Sequence, residues 1–417
     1  MNVRRSAAVL TATAATALIG AATPAVAASP SPSPTAVIPA GLYGTADPTY
    51  DGVWRQSLAL LAQDTVGVRP ADQAVKWLTG QQCATGAFAA FRADPAKPCD
   101  AKLMVDSNST AAAVQALAAL GGQRAATDKA VGWLKSVQNA DGGWGYAPGG
   151  ASDANSTSVV IGALTAAGAK PDQVLKGGKS PYDALVELAL PCDAGGAFAY
   201  QPDKQGKLAA NADATAAGVL GALGLGLAPE AGKKADAVCA GTGSPTPQQA
   251  AANGAAYLAK AVAKDSHLMS VLPGAENQPD YGNTADAVVA LAAQGGAEQA
   301  EKPLGWLEKN AGAWAKQGGP AAYAQLIFAA HATGSDPRAF GGTDLVAALN
   351  ATGPTPQASG EAATEKPGDE DTRDDKDEKD NKGDSDDGFG VWWTVGVFLV
   401  AGIGIGFLIS GRRKQQP

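Results

Sequence analysis

The sequence predicts an all-α protein, an α/α toroid of about six two-helix repeats, followed by a C-terminal transmembrane helix. Internal repetition, the alternation of two helix types and an uncharged run near the C-terminus carry that reading. Residues 42–353 hold six copies of a unit roughly 50 residues long. One helix of each pair is amphipathic and usually carries a Trp, over 71–82, 127–139, 182–190, 248–264, 298–310 and 342–351. The other is rich in Ala, Gly and Val and nearly uncharged, over 50–63, 108–120, 155–168, 213–224, 284–294 and 321–333. A helix apolar all round belongs inside, whereas an amphipathic one keeps a wet face. Six inner and six outer helices in alternation meet both demands by closing into a ring.

The ends of the chain add targeting signals. Arg4 and Arg5, the apolar run 7–22 and the small-residue pattern Ala25-Val26-Ala27 predict a signal peptide over 1–27. A Ser/Pro-rich disordered segment, 28–41, follows. Residues 389–410 carry no charge and are long enough to cross a bilayer at about 1.5 Å per residue. Trp392 and Trp393 sit at the outer edge, and Arg412, Arg413 and Lys414 lie in the basic tail 411–417. The expected location is therefore the cell membrane, single-pass, with the N-terminal domain extracellular.

Charge is unevenly placed. The chain totals 32 basic and 40 acidic residues, a net of -8, and residues 361–387 alone hold 13 acidic and 5 basic, also -8. The remainder is neutral, which gives no footing for a nucleic-acid partner. The linker 354–388 is expected to be a disordered acidic spacer that repels itself and stays extended. Four cysteines in an exported chain predict two disulfides, with Cys83–Cys99 and Cys192–Cys239 the expected pairs and other pairings open.

The second unit carries a specific motif: Lys129-Ala130, Trp133-Leu134, Gln138, Gly142 and Trp144. The first nearly repeats it with Ala74, Trp77-Leu78, Gln82, Gly86 and Phe88, and later units keep an aromatic-Leu core such as Trp306-Leu307. This resembles the QW repeat of squalene cyclases, in the α/α toroid superfamily shared with protein prenyltransferases. The resemblance implies structural roles: Gln82 and Gln138 cap the next helix, and Trp77, Trp133, Trp144 and Trp306 pack the repeat. A second signature precedes the inner helices, with Asp106, Asp153, Asn211 or Asp280 followed four residues later by Thr110, Thr157, Thr215 or Thr284. Such residues accept bonds from the free amides of a first helical turn, and capping is the simpler reading of each Asp.

The sequence offers no catalytic group. Hopene-type cyclases protonate substrate with a DxDD motif, and the one here, Asp384-Ser385-Asp386-Asp387, falls in the acidic spacer with Asp374-Asp375, where neither can be desolvated into a strong acid. No metal set surrounds His267 or His331, and no cofactor is called for. The loops entering the inner helices instead carry aromatics and polar groups. Phe91, Tyr146, Asp153, Tyr200, Asp213, Asp280 and Tyr281 are the expected ligand-binding rim. The architecture is similar to the α domain of intrinsic factor and transcobalamin, which bind cobalamin. The expected function is thus a non-catalytic, membrane-anchored binding module presenting a corrinoid-like or other small ligand to a surface or transporter partner. A structural or adhesion scaffold is the alternative and a terpenoid cyclase the third reading, revived by a buried, hydrogen-bonded Asp among aromatics.

Overall fold

The computed structural model describes residues 38–235, 238–241, 243–270 and 277–358. The expected signal peptide, the membrane segment and the acidic motifs of the spacer lie outside the described residues. Among the described residues no helix is long and apolar enough to cross a membrane.

Among the described residues, twelve α-helices follow in the predicted order. The inner set is α1 (Gly52–Thr65), α3 (Ser107–Leu120), α5 (Ala154–Ala166), α7 (Ala212–Ala222), α9 (Tyr281–Gln294) and α11 (Gly312–Thr333). The outer set is α2 (Asp72–Gly80), α4 (Arg124–Ser136), α6 (Pro181–Glu187), α8 (Pro247–Val262), α10 (Ala297–Asn310) and α12 (Leu345–Asn350). Each inner helix packs on the next, and α11 packs on α1, so the six form a closed ring with the outer helices around them. Alanine and glycine permit this. Gly162 of α5 already lies so near Gly226 that an added Cβ would come within 2.7 Å of its Cα, and Gly221 of α7 is similarly pressed on Ser158.

The repeat motif holds neighbouring units together. The Trp144 ring is buried and its indole N–H donates to the Leu134 carbonyl at 2.7 Å. Gln138 Nε2 donates to the carbonyls of Gly142 and, across to the next unit, Val174. Gln82 does the same to Gly86 and Ala126. These glutamines therefore tie one repeat to the lead-in of the next by donating to carbonyls, not by accepting helix amides as capping implies. Gly142 adopts φ 90°, and a Cβ there would stand 2.2 Å from the Ser180 carbonyl, so both conformation and space require glycine. Trp77 and Trp133 are buried on outer helices, whereas Trp306 of α10 keeps an accessible edge.

Two short antiparallel hairpins, β1 (Phe88–Ala89) with β2 (Val105–Asp106) and β3 (Leu268–Ser270) with β4 (Gln278–Asp280), sit just before α3 and α9. The helical periodicity did not foretell them. They place Phe88 opposite Asp106 and Leu268 opposite Asp280, joining each rim loop to the cap of an inner helix. Both disulfides form as expected, Cys83–Cys99 and Cys192–Cys239.

The sixth inner helix follows prediction: Gly319 (φ 65°) breaks the helical path ahead of Pro320, so the inner stretch 321–333 is preceded by a separate helical piece from Gly312 that carries Trp314 to the site.

Candidate functional site

All six inner helices run in the same direction, so their starts gather at one end of the ring. Asp106 caps α3, its carboxylate accepting the Ser109 N–H at 2.6 Å. Asp153 caps α5 through the Ser156 N–H and Oγ, and Asp280 caps α9 through the Asn283 N–H and Nδ2. The Thr four residues on from each cap accepts a backbone N–H of the preceding rim loop: Phe88 on Thr110, Trp144 on Thr157, Phe198 on Thr215 and Leu268 on Thr284. The signature thus fixes both the helix start and the loop above it.

Asp213 breaks the pattern. The cap of α7 is Asn211, whose side chain accepts the Ala214 N–H. That leaves the Asp213 carboxylate free for the ring interior, where its Oδ2 accepts Asn155 Nδ2 of α5 at 2.7 Å. One helix on, Asp286 of α9 accepts Gln325 Nε2 of α11 at 3.2 and 3.3 Å. Neutral carboxamides stabilise a carboxylate far less than a cation does, so burial dominates. It raises Asp213 to about 7, opposed by Asn155 and reinforced by Asp280 and Asp153. Burial also raises Asp286 to about 7, reinforced by Asp213 and Asp280. Asp286 thus feels the Asp213 carboxyl, and both sites hold a proton far more readily than a free carboxylate does. Asp106 and Asp153 are likewise raised to about 6 by burial, against their amide bonds.

The aromatic groups divide into three. Phe91 lies over the start of α1, near Gly52, and stacks on Trp77 at 6.4 Å, away from the acid pair. Tyr146 hydrogen-bonds the Asp106 carboxyl, and Tyr200 lies in the fields of Asp153 and Asp213. Burial first, then those carboxylates, push both phenols up, so they remain protonated. Tyr281 stands between Trp306 at 5.0 Å and Trp314 at 5.7 Å, and His267 stacks on the far face of Trp306 at 4.2 Å. This four-ring stack begins at the residue after the Asp280 cap. The accessible inner surface is off-centre: residues 107–117 of α3 and 154–164 of α5 are buried throughout, whereas Asp213, Ala217 and Leu220 of α7 and Asp286 of α9 keep accessible surface.

Of the expected rim, Asp213, Asp280 and Tyr281 come together, with Asp153 and Tyr200 beside them. Asp286, Gln325, Trp314 and His267 were not among the residues expected there. Asp286 lay within an alanine-rich stretch with no motif, although a lone acid in an otherwise apolar inner helix is itself a signal. Among the described residues no cluster of His, Cys, Asp and Glu is arranged to hold a metal ion.

The prenyltransferase α/α toroid domain family matches residues 48–203, the first part of this architecture. It is 38% identical over 78 residues to drimenyl diphosphate synthase of Streptantibioticus cattleyicolor, a match covering 19% of this chain and 13% of that one. A crystal structure of a protein from Actinoplanes is similar at TM-score 0.42 and 16% identity, over 64% of this chain and 73% of that one. The ent-copalyl diphosphate synthase of Streptomyces platensis is similar at TM-score 0.45 and 17% identity, over 68% of this chain and 50% of that one. This toroid thus spans only a small part of the curated synthase it matches. The expectation of a non-catalytic binding module is corrected here: the curated relative is a synthase. The likeness to intrinsic factor and transcobalamin has no support in these matches.

Proposed function

We propose that the toroid is a terpenoid-cyclase-type enzyme that starts its reaction by protonating a prenyl double bond. One observation carries the reading. Asp213 and Asp286 are two interior carboxyls raised to about 7 by burial, each held by a neutral carboxamide, at the end of the ring where Tyr281 stacks between Trp306 and Trp314. The similarity to a diphosphate synthase of terpenoid type supports it.

In this reading the pair delivers its proton to the less substituted carbon of a trisubstituted alkene. The π electrons form the new C–H bond and leave a tertiary cation. A neighbouring alkene of the same chain attacks that cation and closes a ring. Loss of a proton from the final cation makes the product alkene, and the carboxylate of the pair takes a proton back. The sum is an isomerisation, with no oxidant or reductant. The aromatic faces and the remaining carboxylates, Asp153 and Asp280, stabilise the travelling positive charge.

Incubation of the full chain with squalene, farnesyl diphosphate or geranylgeranyl diphosphate in D₂O tests this. The expected result is a cyclic product bearing deuterium, lost in both Asp213→Asn and Asp286→Asn. No cyclic product from any of the three, or undiminished turnover in the two variants, overturns the reading.

A further inference from the structure

The inner helices share a positional code. Two residues after the cap, α3 has Asn108, α5 has Asn155 and α7 has Asp213; α9 has Gly282. The one position without a side chain lies one turn before Asp286. The nearest atoms to a Cβ built there are the Gln325 carboxamide and Trp314 Cζ2, at 3.7 Å, which is ordinary contact. Gly282 lies within a regular helix, so a side chain adds no left-handed strain. Its absence is therefore not forced by packing, unlike Gly142, Gly218 or Gly221, whose added Cβ would lie within 2.8 Å of a neighbour. Gly282, Asp286, Gln325 and Trp314 all keep accessible surface, so the missing side chain adds to one shared open face.

We propose that Gly282 is a specificity-determining residue: it leaves the seat for the branched apolar end of a prenyl chain, between the Trp314 ring and the Asp286–Gln325 pair. The reach is set by geometry. A chain end lying over Gly282 comes within reach of the Trp314 ring and of the Gln325 carboxamide. An Asn or Leu side chain would fill that space. The chemistry of the seat rests on the acid-pair reading, but the occupancy of the seat does not.

The test uses the full chain, all-trans geranylgeraniol as probe, and two readouts: quenching of tryptophan fluorescence and thermal melting. Saturable quenching is expected in the wild type and in Gly282→Ala. In Gly282→Leu the apparent Kd should rise about tenfold or more, the displacement of two or so methylene-sized groups, at an unchanged Tm. Gly282→Asn, which copies the residue of α3 and α5, keeps the test open where Leu disturbs folding, and the same weakening is expected. Wild-type affinity in a folded Gly282→Leu or Gly282→Asn overturns the inference, as does absence of saturable quenching in the wild type. Product assays on the wild type separate the two readings: no cyclic product beside saturable quenching that Gly282→Leu weakens would sink the acid pair while leaving the seat standing on the binding data.

Discussion

The hydroxyl of Thr157, in the first turn of α5, accepts the backbone N–H of Trp144 at 3.1 Å, while the Trp144 indole donates to Leu134 at 2.7 Å. One residue is thereby anchored at its backbone to an inner helix and at its ring to an outer one. Thr157→Val keeps the shape and strands a buried amide, which should cost about 1–3 kcal/mol. Thr157→Ser should restore most of that. Urea denaturation of the three proteins decides it, and equal midpoints for wild type and Val would refute the anchoring role.

Trp144 itself fills the junction of two units, with 1% of its surface exposed. Trp144→Ala should destabilise the toroid by roughly 3–5 kcal/mol, combining lost burial with a cavity. Trp144→Phe should cost less, retaining most of the volume and losing the indole bond. Denaturant midpoints should fall in the order wild type, Phe, Ala.

Stability should decline as pH rises. Unfolded aspartates titrate near ~3.9, whereas Asp106 and Asp153 titrate at about 6 and Asp213 and Asp286 at about 7 in the fold. Between those values the folded chain binds more protons than the unfolded one. The stabilisation is therefore complete below about pH 4 and lost as pH passes through about 7. Wild-type Tm should drop by roughly 10 °C from pH 5 to pH 8, and the Asp213→Asn/Asp286→Asn double variant should show a shallower slope. Identical slopes in the two proteins would show that the acid pair is not held protonated.

The disulfides close loops of different length. Cys83–Cys99 spans 16 residues and Cys192–Cys239 spans 47. Loop-entropy arguments give about 3 and about 4 kcal/mol respectively. Replacing each pair with Ala in turn and measuring Tm checks the order, with the greater loss expected for the second pair.

Much of the fold was legible because the two helix types differ so clearly in composition. Alanine-rich inner helices and Trp-bearing outer ones can be told apart residue by residue; proximity along the chain pointed to Cys83–Cys99 and left Cys192–Cys239 as the expected second pair, with other pairings open until the structure showed both. The site was harder to see. Asp153 and Asp280 read correctly as caps. Asp213 stands two residues past the cap position that Asn211 fills, an offset visible in the sequence, but that its carboxylate turns to Asn155 of the neighbouring helix is not. Asp286 owes its raised pKa to burial within the ring and to Asp213 and Asp280, and Trp314 meets Tyr281 from the helical piece that precedes the break at Gly319. These are properties of closure, which a linear pattern does not display.

The packing of α11 against α1, with Gly44 N–H bonded to the Thr352 carbonyl at 2.8 Å and the Tyr43 hydroxyl to that of Pro354 at 3.0 Å, has an evolutionary consequence. An open solenoid lengthens by duplicating a unit at either end, because each unit touches only its two neighbours. A closed circle has no end at which to insert one. Its circumference is set by the count, and a seventh pair would force every inner helix outward and dissolve the contacts that glycine and alanine permit. Divergence in this architecture is therefore confined to single positions on the inner wall and to the loops above it, where one change from Asn to Gly reshapes the interior without disturbing the ring.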